Sequence, residues 1–345
     1  MSSKTNKKVI ILSLILIMII AGCNPNIEGE KADEEYRTGT QGLVLSFLSN
    51  NPPDKIRVQD EEEDLDVALQ VENKGAYPGP NTEMLATVWL SGFDPNIIAI
   101  KDKNDESDIE IEESGIDLKD YSVEGKSIFN PKGSFDIIEF KGAIKSEKIK
   151  IDKYEPTLLA TACYKYSTGA TPTVCIDKDP FDEQKKVCHA ETITMGSQGA
   201  PVAITKIEEE VLGKNIQFKI YIKNVGTGDV INAKDRNICN PYGEEKVERE
   251  NLNKVYLGSV KVHETELSDE YCGPLTDGVF EGSTKKKFIR LVDGEGFVMC
   301  TLPKDNVDQQ SAFTTPLHIR LEYYYRNSVS KSIEIIKIPN VDDAS

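Results

Sequence analysis

The chain has 345 residues, and its 58 acidic and 41 basic side chains give it a formal charge of −17. A surface this acidic repels phosphate backbones, which argues against a nucleic-acid partner. The length exceeds that of an average single domain and suits two domains.

The first 23 residues predict export. Lys4, Lys7 and Lys8 form a basic head, residues 9–21 are an apolar run broken only by a serine, and the run ends at Cys23. This order is typical of a secretory signal peptide. The run has 13 residues, whereas a membrane span takes roughly 20, so a cleaved signal is favoured over a retained anchor.

The Ile-Ala-Gly that precedes Cys23 resembles the lipobox of bacterial and some archaeal lipoproteins. The resemblance implies that residues 1–22 are removed and that Cys23 is diacylated, which anchors the protein to the outer face of the cell membrane. A cleaved signal without lipid and an uncleaved anchor stay open as alternatives. Residues 23–42 are polar and acidic, with too few apolar side chains to fold alone, and they predict a flexible tether.

Beyond the tether the chain predicts many short strands and almost no helix. Residues 65–72 alternate apolar and polar side chains, as a half-buried strand does, and end at the Asn-x-Gly turn 73–75. Residues 216–223 alternate in the same way and end at the Asn-x-Gly turn 224–226. Further strands are predicted at 43–48, 85–90, 96–101, 135–141, 158–166 and 201–208, with a hairpin over 288–301 and one short helix within 244–255.

These features occur twice in the same order, which predicts a tandem duplication. The two Asn-x-Gly turns are 151 residues apart, and the stretches that begin at Pro156 and Pro316 align at an offset of 160 residues, with Tyr164 opposite Tyr324. We therefore predict β-sandwich domains at 43–195 and 199–340. The alternative is that unrelated strands merely share a common strand–turn pattern.

The strand and turn of each half, LDVALQVENKG and FKIYIKNVG, resemble the V-x-V-x-N-x-G pattern of the cell-adhesion-related domain family, a group of prokaryotic immunoglobulin-like modules. The resemblance covers only these stretches. It implies an all-β fold of two tandem immunoglobulin-like β-sandwiches and a stalk or adhesion role, and it transfers no functional residue. Each half is longer than the roughly 100 residues of such a domain, so we expect insertions at 102–130 and 232–285.

Six cysteines lie beyond Cys23, and an even number in an exported chain predicts up to three disulfides. They are Cys163, Cys175, Cys188, Cys239, Cys272 and Cys300. The sequence favours Cys175–Cys188, which closes a short loop, and Cys272–Cys300. Cys163 and Cys239 either bridge the halves or stay free, and a hairpin pairing of Cys163 with Cys175 is the alternative. The absence of a CxxC pair and the presence of only three histidines argue against zinc.

An acidic run is the sharpest candidate for metal chemistry. Its residues at positions 1, 3, 5, 7, 9 and 12 of a calcium loop are Asp102, Asn104, Glu106, Asp108, Glu110 and Glu113. Ser107 occupies the position at which a calcium loop has glycine. Acidic runs are also more often solvated loops than metal sites. Trp89 is the single tryptophan, on a predicted strand where it suits either the core or a glycan-stacking platform.

No catalytic motif is present: the sequence lacks G-x-S-x-G, a glycine-rich phosphate loop and H-E-x-x-H. We therefore predict a non-enzymatic surface lipoprotein without a cofactor. It would act as a structural, adhesion or protein-interaction module with other envelope proteins as partners. A glycan- or calcium-binding lipoprotein is the alternative, and a surface hydrolase is the least favoured. The sequence does not predict the oligomeric state.

Overall fold

The computed structural model describes residues 36–59, 61–102, 107–182, 185–267, 269–282 and 284–338. The predicted signal peptide 1–22, Cys23, most of the predicted tether, Asn104 and Glu106 lie outside the described residues. The described chain is all-β, and its strands are connected by loops and short 3₁₀ helices.

The strands are β1 (Leu43–Phe47), β2 (Lys55–Val58), β3 (Glu62–Asp64), β4 (Val67–Asn73), β5 (Ala86–Ser91), β6 (Ile98–Ile100), β7 (Ile116–Asp117), β8 (Phe135–Phe140), β9 (Gly142–Lys145), β10 (Lys153–Tyr154), β11 (Thr157–Ala170), β12 (Thr173–Ile176), β13 (Thr192–Thr194), β14 (Val202–Leu212), β15 (Asn215–Asn224), β16 (Asp229–Ile231), β17 (Lys254–Val262), β18 (Thr265–Glu266), β19 (Cys272–Gly273), β20 (Thr276–Val279), β21 (Lys285–Arg290), β22 (Glu295–Pro303), β23 (Phe313–Ser332) and β24 (Glu334–Lys337). The 3₁₀ helices are Ile111–Glu113, Leu118–Asp120, Ser146–Lys148, Arg236–Cys239, Arg249–Asn251 and Lys304–Asn306.

Within the described ranges the strands form five sheets. The largest has the order β20-β21-β17-β23-β11-β5-β7, with β12, β16 and β18 paired alongside it. A five-stranded sheet has the order β13-β14-β15-β22-β19, and a three-stranded sheet has the order β1-β4-β8. The two small sheets are β3-β9-β6 and β10-β24-β2.

The largest sheet is buried on both faces at its centre. Val88 and Tyr164 point into one hydrophobic cluster, which also contains Phe218 of the five-stranded sheet. Their chain neighbours Trp89 and Cys163 point into a second cluster on the opposite face. Because strand side chains alternate between faces, burial on both sides explains why β5 is apolar along most of its length.

An antiparallel ladder of fourteen residue pairs joins β11 to β23, from Thr157–Ser332 to Ala170–Ile319. β11 lies in the first predicted half and β23 in the second, so strands of both halves belong to one sheet. The domain bounds 43–195 and 199–340 stay a prediction.

The two Asn-x-Gly turns are held by the same hydrogen bonds. Nδ2 of Asn73 donates to the Tyr77 carbonyl at 2.9 Å, and Nδ2 of Asn224 donates to the Gly228 carbonyl at 2.9 Å. In both turns the backbone N–H of the residue after the asparagine donates to the carbonyl of the residue that precedes the neighbouring strand. Because buried backbone groups need partners, each asparagine fixes its turn in the same conformation.

A tyrosine hydroxyl completes each turn. The Tyr77 N–H donates to the Tyr166 hydroxyl at 3.2 Å, and the Gly228 N–H donates to the Tyr325 hydroxyl at 2.8 Å. Tyr166 therefore matches Tyr325, at an offset of 159 residues. For these tyrosines the predicted offset of 160 is wrong by one, and in a strand a shift of one residue moves a side chain to the opposite face.

Four buried tyrosines meet at the middle of the β11–β23 ladder. Tyr164 lies opposite Tyr325 and Tyr166 lies opposite Tyr323, with ring centroids 5.8 and 6.2 Å apart. Burial raises the pKa of all four hydroxyls, that of Tyr325 to about 12. The rings therefore stay neutral, and they pack the two halves together through apolar area.

Two predicted local features form only in small part. Of the hairpin over 288–301 only the closing bridge between Val292 and Glu295 forms, because β21 pairs with β17 and β20 whereas β22 pairs with β15 and β19. The turn at Asp293 and Gly294 instead carries the chain from one sheet to another. The helix predicted within 244–255 is only the 3₁₀ helix Arg249–Asn251, since the chain pairs as β17 from Lys254 onwards.

Three disulfides join the six cysteines. Cys175–Cys188 and Cys272–Cys300 are the pairs that the sequence favours, and Cys272 lies directly opposite Cys300 in the β19–β22 pairing. Cys163–Cys239 is the bridging alternative that the sequence left open. The hairpin pairing of Cys163 with Cys175 does not occur, because β12 pairs with β23 and not with β11.

We expect the bridge between the halves to contribute more stability than the local bridge. Cys163–Cys239 has a sequence separation of 76 and Cys175–Cys188 one of 13. The chain-entropy model gives about 4.5 and about 3 kcal/mol for such loops. In urea titrations, C163A/C239A should therefore lower the free energy of unfolding by roughly 1.5 kcal/mol more than C175A/C188A. Equal losses would contradict the loop-length argument.

Tyr325→Phe should destabilise the fold by about 1–3 kcal/mol, because it leaves the Gly228 N–H without its acceptor. Tyr166→Phe should cost a similar amount for the same reason. Tyr324→Phe is the matched control, since no described residue hydrogen-bonds the Tyr324 hydroxyl, and it should cost less than about 0.5 kcal/mol. Urea unfolding measures the free energy of unfolding of all three variants. An equal loss in Tyr324→Phe would contradict the assigned role of the hydroxyls.

Candidate functional site

Residues 232–251, which we name the strap, cross the outer face of the largest sheet. A bridge between Ile231 and Leu252 closes the base of the strap. Its 3₁₀ helix Arg236–Cys239 brings Cys239 to the sulfur of Cys163 in β11. The strap thus covers the second hydrophobic cluster and joins the second half covalently to the first.

Polar contacts extend this attachment. Arg236 donates through Nε to the Thr87 hydroxyl at 2.6 Å, and its Nη2 forms an ion pair with Asp117. Nδ2 of Asn240 donates to the Glu112 carbonyl at 2.8 Å. Every acceptor lies in the first half, so the strap is fixed at several points along its length.

A cleft of about 590 Å³ opens between the strap and residues 112–117. Its charged lining consists of six carboxylates and two cations: Glu112, Glu113, Asp117, Asp235, Glu244, Glu245, Lys234 and Arg236. Arg236 pairs with Asp117, and Lys234 pairs with Glu245 at 2.7 Å. The remaining excess of carboxylates gives the cleft a negative potential, which attracts cationic groups and repels phosphates.

Trp89 lies in the wall of this cleft, but its side chain belongs to the second hydrophobic cluster. Only 2% of its surface is exposed, and it packs in the same cluster as the Cys163–Cys239 bridge. Stacking on a sugar requires an open ring face. The structure therefore supports the core interpretation of Trp89 over the glycan-platform interpretation.

The acidic run 102–113 is divided in the structure. Oδ2 of Asp108 bonds to Nζ of Lys145 at 2.6 Å, and Glu113 lies in a 3₁₀ helix at the cleft. No group of three or more potential metal ligands occurs among the described residues, which exclude Asn104 and Glu106. A calcium site over this run stays a prediction.

Glu209 is a buried carboxyl that the sequence analysis missed. It stands in the acidic triplet 208–210, which looks like a solvated edge, yet it shares a strand face with Ile207 and Val211. Its surface is 6% exposed, and Oε2 accepts a hydrogen bond from the Cys175 N–H at 3.1 Å. Oε1 has no hydrogen-bond partner in the described structure. The available signal was the period-two alternation of β14.

Burial raises the pKa of Glu209 to about 7, because desolvation penalises its charged form. The nearby carboxylates Asp177 and Glu191 raise it further, whereas the bond from Cys175 opposes the rise. Asp177 is itself buried and pairs with Nζ of Lys186 at 2.7 Å. This group of charges lies against the loop that Cys175–Cys188 closes.

Comparisons with known proteins give no family assignment. No protein-family model matches the chain, and no curated protein matches it. No helix in the described ranges is long and apolar enough to cross a membrane.

Among solved structures, the C-terminal domain of the Streptococcus agalactiae AgI/II polypeptide BspA is 12% identical, with 85% of this chain and 99% of that chain covered and a TM-score of 0.17. The C-terminal domain of the Streptococcus pyogenes antigen I/II-family protein AspA is 10% identical, with coverage of 86% and 100% and a TM-score of 0.17. The CupB6 tip adhesin from Pseudomonas aeruginosa is 8% identical, with coverage of 88% and 98% and a TM-score of 0.18. Scores this low carry no argument about fold or function.

Glu209 makes the stability of the protein depend on pH. Its folded-state pKa is above the ordinary value of 4.5, so its stabilising contribution is complete below pH 4.5 and is lost as pH rises through about 7. Glu209→Gln keeps an acceptor for Cys175 and removes the charge. At pH 8 we expect this variant to be more stable than the wild type by about 2–3 kcal/mol, and at pH 5 by much less. Urea unfolding at both pH values is the measurement, and a difference independent of pH would contradict the assignment.

Proposed function

We propose that this chain is a membrane-anchored surface lipoprotein that acts as a non-enzymatic module for adhesion or protein interaction. Its body would consist of two tandem immunoglobulin-like β-sandwiches, at 43–195 and 199–340. The matching Asn-x-Gly turns support the duplication, because the same hydrogen bonds hold both.

The observation that carries this proposal is the double attachment of the two halves. The β11–β23 ladder joins them through fourteen residue pairs, and Cys163–Cys239 joins them covalently. A body fixed in this way holds its surface in one geometry, so a partner binds without a large cost of ordering. A module that presents a binding surface benefits from such stiffness. Structural disulfides such as this one persist outside the reducing cytosol, which fits a surface location.

The acidic cleft is our candidate for the contact with a partner. Its excess of carboxylates favours a partner that presents lysine or arginine side chains. Glycan or calcium binding is the weaker proposal, since the ring of Trp89 is buried and Asp108 is engaged by Lys145.

Anchoring is tested first. In cells that acylate lipoproteins, the wild-type chain should incorporate labelled fatty acid and fractionate with membranes, because a diacylated Cys23 carries two acyl chains. C23A should lose the label and appear in the soluble fraction. C163A/C239A retains Cys23 and should still be labelled. A C23A protein that stays in the membrane fraction would favour an uncleaved anchor and contradict lipidation.

The cleft is tested by charge reversal. E112K/E244K should abolish capture of cross-linked envelope partners by the intact lipoprotein, because it turns attraction into repulsion. The control E63K/D305K changes the net charge by the same amount at exposed positions outside the cleft lining. If both variants lost the partner equally, the effect would come from net charge and the cleft would not be the contact.

A further inference from the structure

The turn Ser127–Asn130 holds two apolar side chains out in solvent. The N–H of Ser127 donates to the Asn130 carbonyl at 2.9 Å, and the Asn130 N–H donates to the Ser127 carbonyl at 3.1 Å. Nδ2 of Asn130 donates to the Ser134 hydroxyl at 2.9 Å, and this bond to a residue outside the turn stabilises it. At its tip Ile128 is exposed, and Phe129 has 91% of its surface in water. Turn tips usually carry polar residues, so this tip is costly unless something covers it.

This turn lies beside the point at which the described chain begins. Lys126, next to the turn, donates through Nζ to the Thr38 carbonyl at 3.0 Å and through its N–H to the Gly75 carbonyl at 2.7 Å. Gly39 is also fixed to the fold, since its N–H donates to the Ser197 hydroxyl at 2.9 Å. The chain that leads back toward Cys23 therefore leaves the fold next to the exposed tip.

The length of that chain limits how far the tip can lie from a lipid on Cys23. Twelve residues, 24–35, separate Cys23 from Tyr36. Fully extended, they reach at most about 45 Å, and a random coil of this length averages about 20 Å. An acyl anchor on Cys23 would thus hold this side of the fold within reach of the bilayer surface.

The charge around the tip also differs from that of the whole protein. Four cations lie on the segments that meet here, namely Arg37, Lys74, Lys126 and Lys132, against the three carboxylates Glu72, Glu124 and Asp136. Lys74 pairs with Glu72 at 3.2 Å, and Asp136 accepts the Ser122 N–H at 3.0 Å. The folded segments at the tip are therefore less acidic than the chain as a whole, whose net charge is −17, although residues 24–35 add five carboxylates and one lysine nearby in sequence. The lysines beside the tip are the groups that can meet an anionic lipid surface.

We propose that the turn Ser127–Asn130 inserts Ile128 and Phe129 into the headgroup boundary of an anionic bilayer, as a second, non-covalent anchor. This inference rests on the proposed lipidation of Cys23. An aromatic ring and a branched aliphatic chain suit the interface, and the flanking lysines meet the phosphate groups. Two attachment points, the lipid and the tip, would restrict the orientations that the body adopts above the membrane.

The test attaches a lipid to Cys23 chemically, so that it does not depend on acylation by cells. With the other six cysteines oxidised, the chain from Cys23 onwards offers one thiol, which couples to a maleimide lipid in vesicles of phosphatidylcholine with one-third phosphatidylglycerol. Phe129→Trp places a fluorophore at the tip. Phe181→Trp is the matched control, because Phe181 is also 91% exposed but lies in the Cys175–Cys188 loop. The buried Trp89 gives the same background in both variants.

We expect F129W to shift its emission to the blue and to be quenched by brominated acyl chains, while F181W does neither. Adding Lys132→Glu to F129W should lower membrane occupancy of the tip about fivefold or more, as expected for loss of one surface cation. Lys185→Glu, at another exposed lysine, should leave it unchanged. Vesicles without phosphatidylglycerol should also lower the quenching.

Equal responses of F129W and F181W would overturn the proposal, as would quenching that ignores both Lys132→Glu and lipid charge. Loss of an envelope partner in Phe129→Ser, without quenching on vesicles, would assign the tip to a protein contact and also overturn it. Failure here is separable from failure of lipidation, because the maleimide lipid anchors the chain whether or not cells acylate Cys23.

Discussion

The fold depends on the pairing of β11 with β23. This ladder unites residues up to 175 positions apart and places strands of both halves in one sheet. The four central tyrosines pack only because the ladder brings Tyr164 opposite Tyr325, and the strap lies on the outer face that the same ladder creates. Contacts so distant in sequence cost much chain entropy to form, and the disulfide Cys163–Cys239 offsets part of that cost.

Local patterns predicted the strands but not their partners. The alternation at 216–223 predicted β15 to within a residue, because a half-buried strand imposes a period of two on the sequence. Partner choice depends on surfaces assembled from distant segments, so the predicted hairpin over 288–301 divided between two sheets. The contacts of Arg236 with Thr87 and Asp117 left no local signal for the same reason. Glu209 did have a local signal, because it lies on the same strand face as apolar residues of β14. The acidic residues on either side of it obscured this alternation.

The charge of the protein is unevenly distributed, and this matters more for function than its total. Carboxylates collect in the cleft beside the strap, whereas the described segments around the turn Ser127–Asn130 carry four cations against three carboxylates. At physiological ionic strength, fields fade over about 8 Å, so each region acts on its surroundings by its own sign. A net charge of −17 therefore does not decide what each surface attracts.

The hydrogen bonds around Gly39 have a mechanical consequence. Gly39 bonds to Ser197, between the two predicted halves, and to Gly199, the first residue of the second half. Gly199 also bonds to Ala76 beside the first Asn-x-Gly turn. A pull on the chain at Tyr36 is therefore shared at once between the first half and the segment that begins the second. An external pull on this segment would therefore strain several hydrogen bonds in parallel before it reached β1.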